Sequence, residues 1–155
     1  MKGNGRMGTG GVSTVELRMA PRPENLALAR LALAGIGSLA GASDGDIADL
    51  KLAVTEACTN AILHAYGDGA AGDLVVRYRF RAGTVEIEVE DDGVGFDPDD
   101  PAARASERGG EGMGLLIIRT LTDLLEIESD PSGSRVFFSK AVGGDVADGG
   151  APAAG

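Results

Sequence analysis

There is no tryptophan in the 155 residues, and aromatic side chains make up only 4% of them. A core without large rings must be filled by Ala, Val, Leu and Ile, and the hydrophobic content of 43% is ordinary for a globular protein. One cysteine, Cys58, excludes an intramolecular disulfide and suits a reducing compartment. It reads as a small core residue rather than a reactive thiol. Positive charge is also scarce: 14 Lys and Arg stand against 24 Asp and Glu, a formal net charge of −10. That argues against a partner recognised through its nucleic-acid backbone, because such affinity rests on Lys and Arg. It leaves room for a small phosphate ligand held by backbone amides. No run is long or apolar enough to span a membrane, and the Gly-rich start lacks the apolar stretch of a signal peptide. The expectation is one soluble, cytoplasmic domain.

Residues 1–11 are rich in Gly, and 143–155 consist largely of Gly, Ala, Asp and Pro. Neither stretch can bury enough apolar surface to offset its ordering entropy, so both are expected to be flexible tails around a domain spanning 12–142. Within the domain, Val12 to Met19 alternates like a half-buried strand. Pro21 and Pro23 then open a helix running to about Leu39. Leu26, Arg30, Leu33 and Gly37 form one side of it, and its breadth of apolar surface fits either more core or a dimer or partner surface. A linker at Gly41–Gly45, with Ser43 or Asp44 as N-cap, leads into a second helix that ends near Gly67. Two alternating strands follow, Leu74 to Phe80 and Thr84 to Glu90, around a turn at Ala82–Gly83. Their Arg and Glu rows suit cross-strand pairing on a solvated face. A long acidic loop, 97–110, precedes an apolar helix through Leu115, Ile118, Leu121 and Leu125. The strands Glu126–Ser129 and Arg135–Val142 close the domain as a hairpin.

Three short motifs carry chemistry. In the stretch Leu52 to Tyr66, Glu56, Asn60 and His64 are four residues apart and form a polar stripe along one side of a helix. Glu can take a proton, and an Asn side-chain oxygen can ligate a hard cation. Alone, the stripe equally fits a polar flank facing water. Asp91-Asp-Gly93-Val-Gly95 at a strand's end sets a carboxylate beside a turn, where it can accept a hydrogen bond from an exocyclic amine; alone it is also a plain acidic turn. Gly112-Met113-Gly114 opens a helix, and a glycine-rich helix N-terminus is suited to phosphate. No Lys-Ser/Thr follows the glycines, and a long loop separates them from the preceding strand. They fit neither a Walker A motif nor a Rossmann fingerprint.

All three in this order are specific. The arrangement resembles the GHKL superfamily of ATPases, to which heat-shock ATPase chaperones, type II topoisomerases, MutL proteins and histidine-kinase catalytic domains belong. The central helix, Glu56-Ala-Cys-Thr-Asn60-Ala-Ile-Leu-His64, is most similar to the N box of anti-sigma-factor serine kinases of the RsbW/SpoIIAB type, with the likeness running from about Val12 to Val142. The resemblance implies the Bergerat fold of histidine-kinase-like ATPases: an α/β two-layer sandwich, its mixed, mainly antiparallel sheet covered on one face by helices. It implies ATP and Mg²⁺ as ligands. Carried over residue by residue, Asn60 would bind the Mg²⁺ and Glu56 would act as general base. Asp91 would recognise the adenine amino group, Gly93 and Gly95 would shape the turn beneath the base, and Gly112, Met113 and Gly114 would cradle the phosphates. Residues 97–110 would form the lid, and His64 would be structural or line the pocket.

The same resemblance implies a homodimer that binds a sigma factor and phosphorylates a STAS-domain antagonist on Ser, with Arg30 on the partner-facing side; a solvated helix Arg fits Arg30 nearly as well. The lid departs from expectation, since only Arg104 and Arg108 there carry positive charge and Glu111 adjoins the glycines. An alternative therefore stays open: a module that binds nucleotide or partner with weak or no kinase activity. The ATP-binding half of a histidine kinase fits less well, because the one His lies inside the N box.

Overall fold

The computed structural model describes residues 11–66, 72–93 and 113–144. Strand β1, Ser13–Met19, is followed by a short 3-10 turn at Pro23–Asn25 and helix α1, Leu26–Ala40. Pro23 suits the turn because its φ is already near the helical value and its missing N–H is not needed in a first turn. Helix α1 stops at Gly41, whose φ of 81° lets its N–H bond back to Gly37 and Ser38. Helix α2, Asp44–Asn60, starts on a capping box. The Ser43 hydroxyl accepts from the Asp46 N–H and the Asp46 carboxylate accepts from the Ser43 N–H, each at 3.0 Å.

The expected single α-helix through Tyr66 is corrected here. Winding changes after Asn60, and Ala61–Tyr66 is a π-helix. Apolar periodicity does not distinguish the two windings over so few residues. The chain continues as β2 (Leu74–Arg81), β3 (Thr84–Asp91), α3 (Met113–Leu121), β4 (Leu124–Asp130) and β5 (Gly133–Ala141). Leu125, counted with the last helix from its spacing, belongs instead to β4. Asp123 makes the break, its N–H donating to the Ser139 carbonyl and its carboxylate accepting from the Ala141 N–H.

The sheet order is β1-β2-β3-β5-β4, and every pairing is antiparallel. Strands β3 and β4 run the same way but do not touch, because β5 returns between them; this is where the expected mixed character is replaced. The two-layer α/β architecture with helices on one face otherwise matches the expectation. Alternation sorts each strand. Val76, Tyr78 and Phe80 of β2, Val85, Ile87 and Val89 of β3, and Val136 and Phe138 of β5 face the helices and are buried. On the other side Arg77 pairs with Glu16, Glu88 and Glu90, Arg79 with Glu86, and Arg135 with Glu88.

The helices meet that sheet through small residues. Ala29 and Ala40 of α1, Ala53 and Ala57 of α2, and Cys58 are at most 2% exposed. Burial pushes the Cys58 thiol up to about 12, so it stays protonated as a core group. Tyr78, one of the few rings, donates from its hydroxyl to the Ala29 carbonyl at 2.7 Å and pins α1 to the sheet. At the far end Gly143, placed in the flexible tail by composition, is held: its N–H donates to Asp46 at 2.8 Å, and a Cβ on it would sit 2.7 Å from the Gly41 carbonyl oxygen. Residues 1–10 and 145–155 of the two tails lie outside the described ones.

Two predictions follow from this packing. A Cβ on Gly37 would lie 2.6 Å from Ile47 Cγ1, so Gly37→Ala should force α1 and α2 apart and destabilise the fold by about 1–3 kcal/mol in urea denaturation. Asp46 is buried, which alone would raise its pKa, but the Gly143 and Ser43 amides, the Ser43 hydroxyl and Lys140 overcome that and hold it below the ordinary 3.8. A lowered folded-state value means stability that is fully present above the unfolded value and lost as pH falls through the folded one. Urea midpoints measured from pH 7 to pH 3 should fall at the acid end, and Asp46→Asn should lower the midpoint at pH 7 while flattening that acid decline.

Candidate functional site

The site forms where the C-terminal part of α2 meets the start of α3 and the ends of β3 and β5. Helix α2 buries Ala53, Val54, Ala57 and Cys58, and Ala61 just after it is buried too. Glu56 and Asn60 then fall four apart at the rim of that buried face. Glu56 is half-buried and Asn60 only 6% exposed. Gly114, in the first turn of α3, lies directly against both. A Cβ there would be 2.9 Å from Glu56 Oε1, 3.2 Å from Asn60 Nδ2 and 3.4 Å from Asn60 Oδ1. The missing side chain eases this approach, which brings the N-terminus of α3, whose first-turn N–H groups have no intrahelical carbonyl to bond, beside a carboxylate and a carboxamide.

A second polar pair lies within the sheet. Asp91 continues the inward-facing series Val85, Ile87 and Val89, so its side chain enters the core face, where it is 5% exposed. Its Oδ1 accepts from the Gly93 N–H at 3.0 Å, and its Oδ2 accepts from the Ser134 hydroxyl. Ser134 is Asp91's direct partner in the β3–β5 register and is itself buried. Next to it Gly133, with φ of 149°, passes so close that a Cβ would run into the Asp91 carbonyl oxygen. Nothing in the local sequence marks Ser134 or Gly133 as partners of Asp91. The detectable signal was parity: Ser134 shares the inward side with Val136 and Phe138 on β5.

Each expected site residue can thus be placed or set aside. Glu56, Asn60 and Gly114 come together, and Asp91 and Gly93 form a separate hydrogen-bonded turn. Met113 begins α3, though its side chain, like that of His64, is outside the described residues, as are Gly95, Gly112 and the whole of 97–110. Arg30 does not join this group; half-buried between helices, it donates from Nη1 to Thr55 Oγ1 at 3.4 Å. Cations and carboxylates elsewhere do not make a rival centre. Among the described residues no group of three or more His, Cys, Asp or Glu could hold a metal ion. A cleft of about 350 Å³ opens at the strand ends that carry the Asp91–Ser134 pair and includes Asp91, Gly133 and Ser134; Asp73, Glu90, Asp92, Glu128 and Asp130 outnumber Arg18 and Arg135 in its walls, so it is a poor place for a phosphate.

Chemically, the arrangement offers two anchors of different kinds. Ionised, Asp91 accepts hydrogen bonds only, so the molecular edge it reads must carry a donor. The other anchor combines helix N-terminal amides with side-chain oxygens, a set suited to an anion accompanied by a hard cation. Comparison with known proteins agrees in kind. Residues 19–140 match the histidine kinase-like ATPase domain. The chain is 35% identical over 146 residues to the serine-protein kinase RsbW of Bacillus velezensis, covering 88% of this chain and 91% of that one. With the protein of the same name from Listeria monocytogenes it shares 36% over 137 residues, 83% and 87% of the two chains. The crystal structure of the RsbU and RsbW domains of a Mycobacterium tuberculosis protein superposes with a TM-score of 0.64 at 20% identity. That match covers 84% of this chain and 32% of the other, so this chain spans about a third of that longer one.

Ser134→Ala would leave one oxygen of a buried carboxylate without its donor, a loss on the order of 1–3 kcal/mol. Equilibrium denaturation should show it, while Ser134→Thr, which keeps the hydroxyl, should recover most of the difference.

Proposed function

Because the chain belongs to the histidine kinase-like ATPases, within the family of RsbW serine-protein kinases, we propose that it is an anti-sigma factor that phosphorylates its own antagonist. It uses ATP, as its family does. The observation that carries the reading is the contact of Gly114 with Glu56 and Asn60, which joins the phosphate-suited helix start to a base and a metal-suited oxygen.

In this reading Asp91, fixed by Gly93 and Ser134, accepts a hydrogen bond from the adenine amino group, and guanine, which offers an oxygen there, is disfavoured. Gly93 and Gly95 form the turn beneath the base. The amides at Gly112, Met113 and Gly114 hold the phosphates. Asn60 is the protein ligand for Mg²⁺, an ion commonly bound by one or two protein oxygens together with substrate phosphates. When bound, Mg²⁺ supplies charge neutralisation at the phosphates. Glu56 takes the proton of the incoming seryl hydroxyl. The serine oxygen bonds to the γ-phosphorus as the bond to the bridging oxygen breaks, leaving phosphoserine and ADP. The rest of the catalytic effect comes from holding the reacting groups in place.

The protein substrate is a STAS-domain anti-sigma-factor antagonist. Sequestration of a sigma factor in the cytoplasm by a homodimer completes the cycle, with phosphorylation preventing the antagonist from releasing the sigma factor. Helix α1 supports a protein-facing role, because Leu28, Leu31 and Leu39 are 51%, 70% and 74% exposed along one side. Arg30 lies on the α2-facing flank of the same helix and is assigned to partner binding. One sequence feature favours a second reading, a binding module with weak transfer: residues 97–111 contain just Arg104 and Arg108 as cations to meet the γ-phosphate.

Two substitutions separate the readings. Asn60→Ala should abolish the Mg²⁺-dependent part of ATP affinity in calorimetric titration. Glu56→Gln should keep ATP affinity within about threefold while lowering phosphoserine formation by roughly 100-fold or more, the scale of general-base catalysis. Transfer at a near-normal rate in Glu56→Gln would remove Glu56 from the role of base. Tight ATP binding without transfer to any STAS substrate in the unaltered protein would favour the binding module.

A further inference from the structure

The sheet has two edges, β1 and β4, and among the described residues each pairs with a single neighbour. An edge strand keeps a row of backbone N–H and C=O groups without sheet partners, which another strand can take up. Helix cover also thins toward β1. Helix α1 packs over β2 and β3, where Val76, Tyr78 and Ile87 are fully buried. On β1 the inward side chains Val15, Leu17 and Met19 touch the same core but are only half-buried.

Charge separates the two edges. The outward row of β4 is Glu126, Glu128 and Asp130, so two β4 strands side by side would set carboxylate against carboxylate. The outward row of β1 is Thr14, Glu16 and Arg18, which carries one charge of each sign. Residues directly opposite in an antiparallel pair point to the same side, so inward side chains must meet inward ones. If two β1 strands paired about Glu16 or Arg18, like charges would meet on the twofold axis. Pairing about Val15 makes no ion pair. Pairing about Leu17 sets Glu16 opposite Arg18 of the second copy, twice, and Val15 opposite Met19, with the two Leu17 side chains on the axis. Glu16 and Arg18 are 42% and 56% exposed beside the partners they have in their own chain, so each has room for a further charge.

We infer that β1 is the surface through which two copies of this chain associate, pairing antiparallel about Leu17 and joining two five-stranded sheets into one. The inference rests on the homodimer of the proposed function and assigns its surface. Backbone hydrogen bonds along Val15–Met19 and the mutual cover of Val15, Leu17 and Met19 hold the copies together. Exposed ion pairs are individually weak, and the role of Glu16 and Arg18 is to select this register over its neighbours. Because inward meets inward, both helical layers lie on the same side of the joined sheet.

The test is sedimentation velocity of the full chain over about 1–100 µM, the range in which a small interface associates. The unaltered protein should pass from monomer to dimer across it. Glu16→Arg and Arg18→Glu, each alone, oppose like charges twice and should weaken self-association about tenfold or more. Mixing the two variants should restore dimers, because every charge of one chain then faces its opposite on the other. That recovery is specific to this register, and a loss of folding does not imitate it. A second measurement is independent of charge. With a short bis-maleimide, Leu17→Cys should cross-link into dimers. Thr14→Cys should not, since two copies of residue 14 would lie about six strand residues, or about 20 Å, apart. Cys58 is buried and out of the reagent's reach. Dimers indifferent to both charge reversals, mixed variants that stay monomeric, or equal cross-linking at the two cysteines would overturn the β1 assignment and leave the homodimer standing. An unaltered protein that stays monomeric throughout would overturn the homodimer itself, and the assignment with it.

Discussion

The close approach of α2 to the sheet is the constraint on which the rest depends. The face that α2 turns to the core is built from small side chains, Ala53, Val54, Ala57 and Cys58, which share one buried cluster with Val76, Ile87 and Val89 of the sheet. The scarcity of aromatic residues is the compositional counterpart of this geometry. A helix held at that height keeps Asn60 nearly out of water without burying it among hydrocarbon alone. A buried carboxamide is costly unless it has polar company, and Glu56 and the start of α3 supply it. Gly114 is the corresponding concession on the other element. A side chain there would crowd the Glu56 carboxylate and the Asn60 carboxamide and displace them from the helix N-terminus they face.

Asp91 solves a related problem by a different route. It occupies a core-facing position at the end of a strand, where the alternation would otherwise call for another Val or Ile. A carboxylate in that place must be hydrogen-bonded, and one donor comes from its own turn and one from the neighbouring strand. Ser134 thus belongs to the site through sheet register, while Gly133 makes room for the crossing. Because β5 returns between β3 and β4, the strand that supports Asp91 is the last one among the described residues. The Asp91–Ser134 pair forms only when the β4–β5 hairpin has joined the sheet, which ties the pair to completion of the fold.

Much of this was legible in the residues. The alternation of β2 and β3, their Arg and Glu rows, and the glycine turn between them gave a local pattern with one physical solution. The four-residue spacing of Glu56 and Asn60 fixed their common side. What escaped depends on contacts between segments distant in the chain. Ser134 sits 43 residues from Asp91, and nothing in the local sequence near either names the other. Leu125 fits a helical spacing with Leu121 and a strand pairing with Phe138 equally well, and the Asp123 bonds to β5 decide between them. Gly143 resembles the Gly-, Ala- and Asp-rich residues after it in composition, yet a carboxylate from α2, 97 residues earlier, holds it.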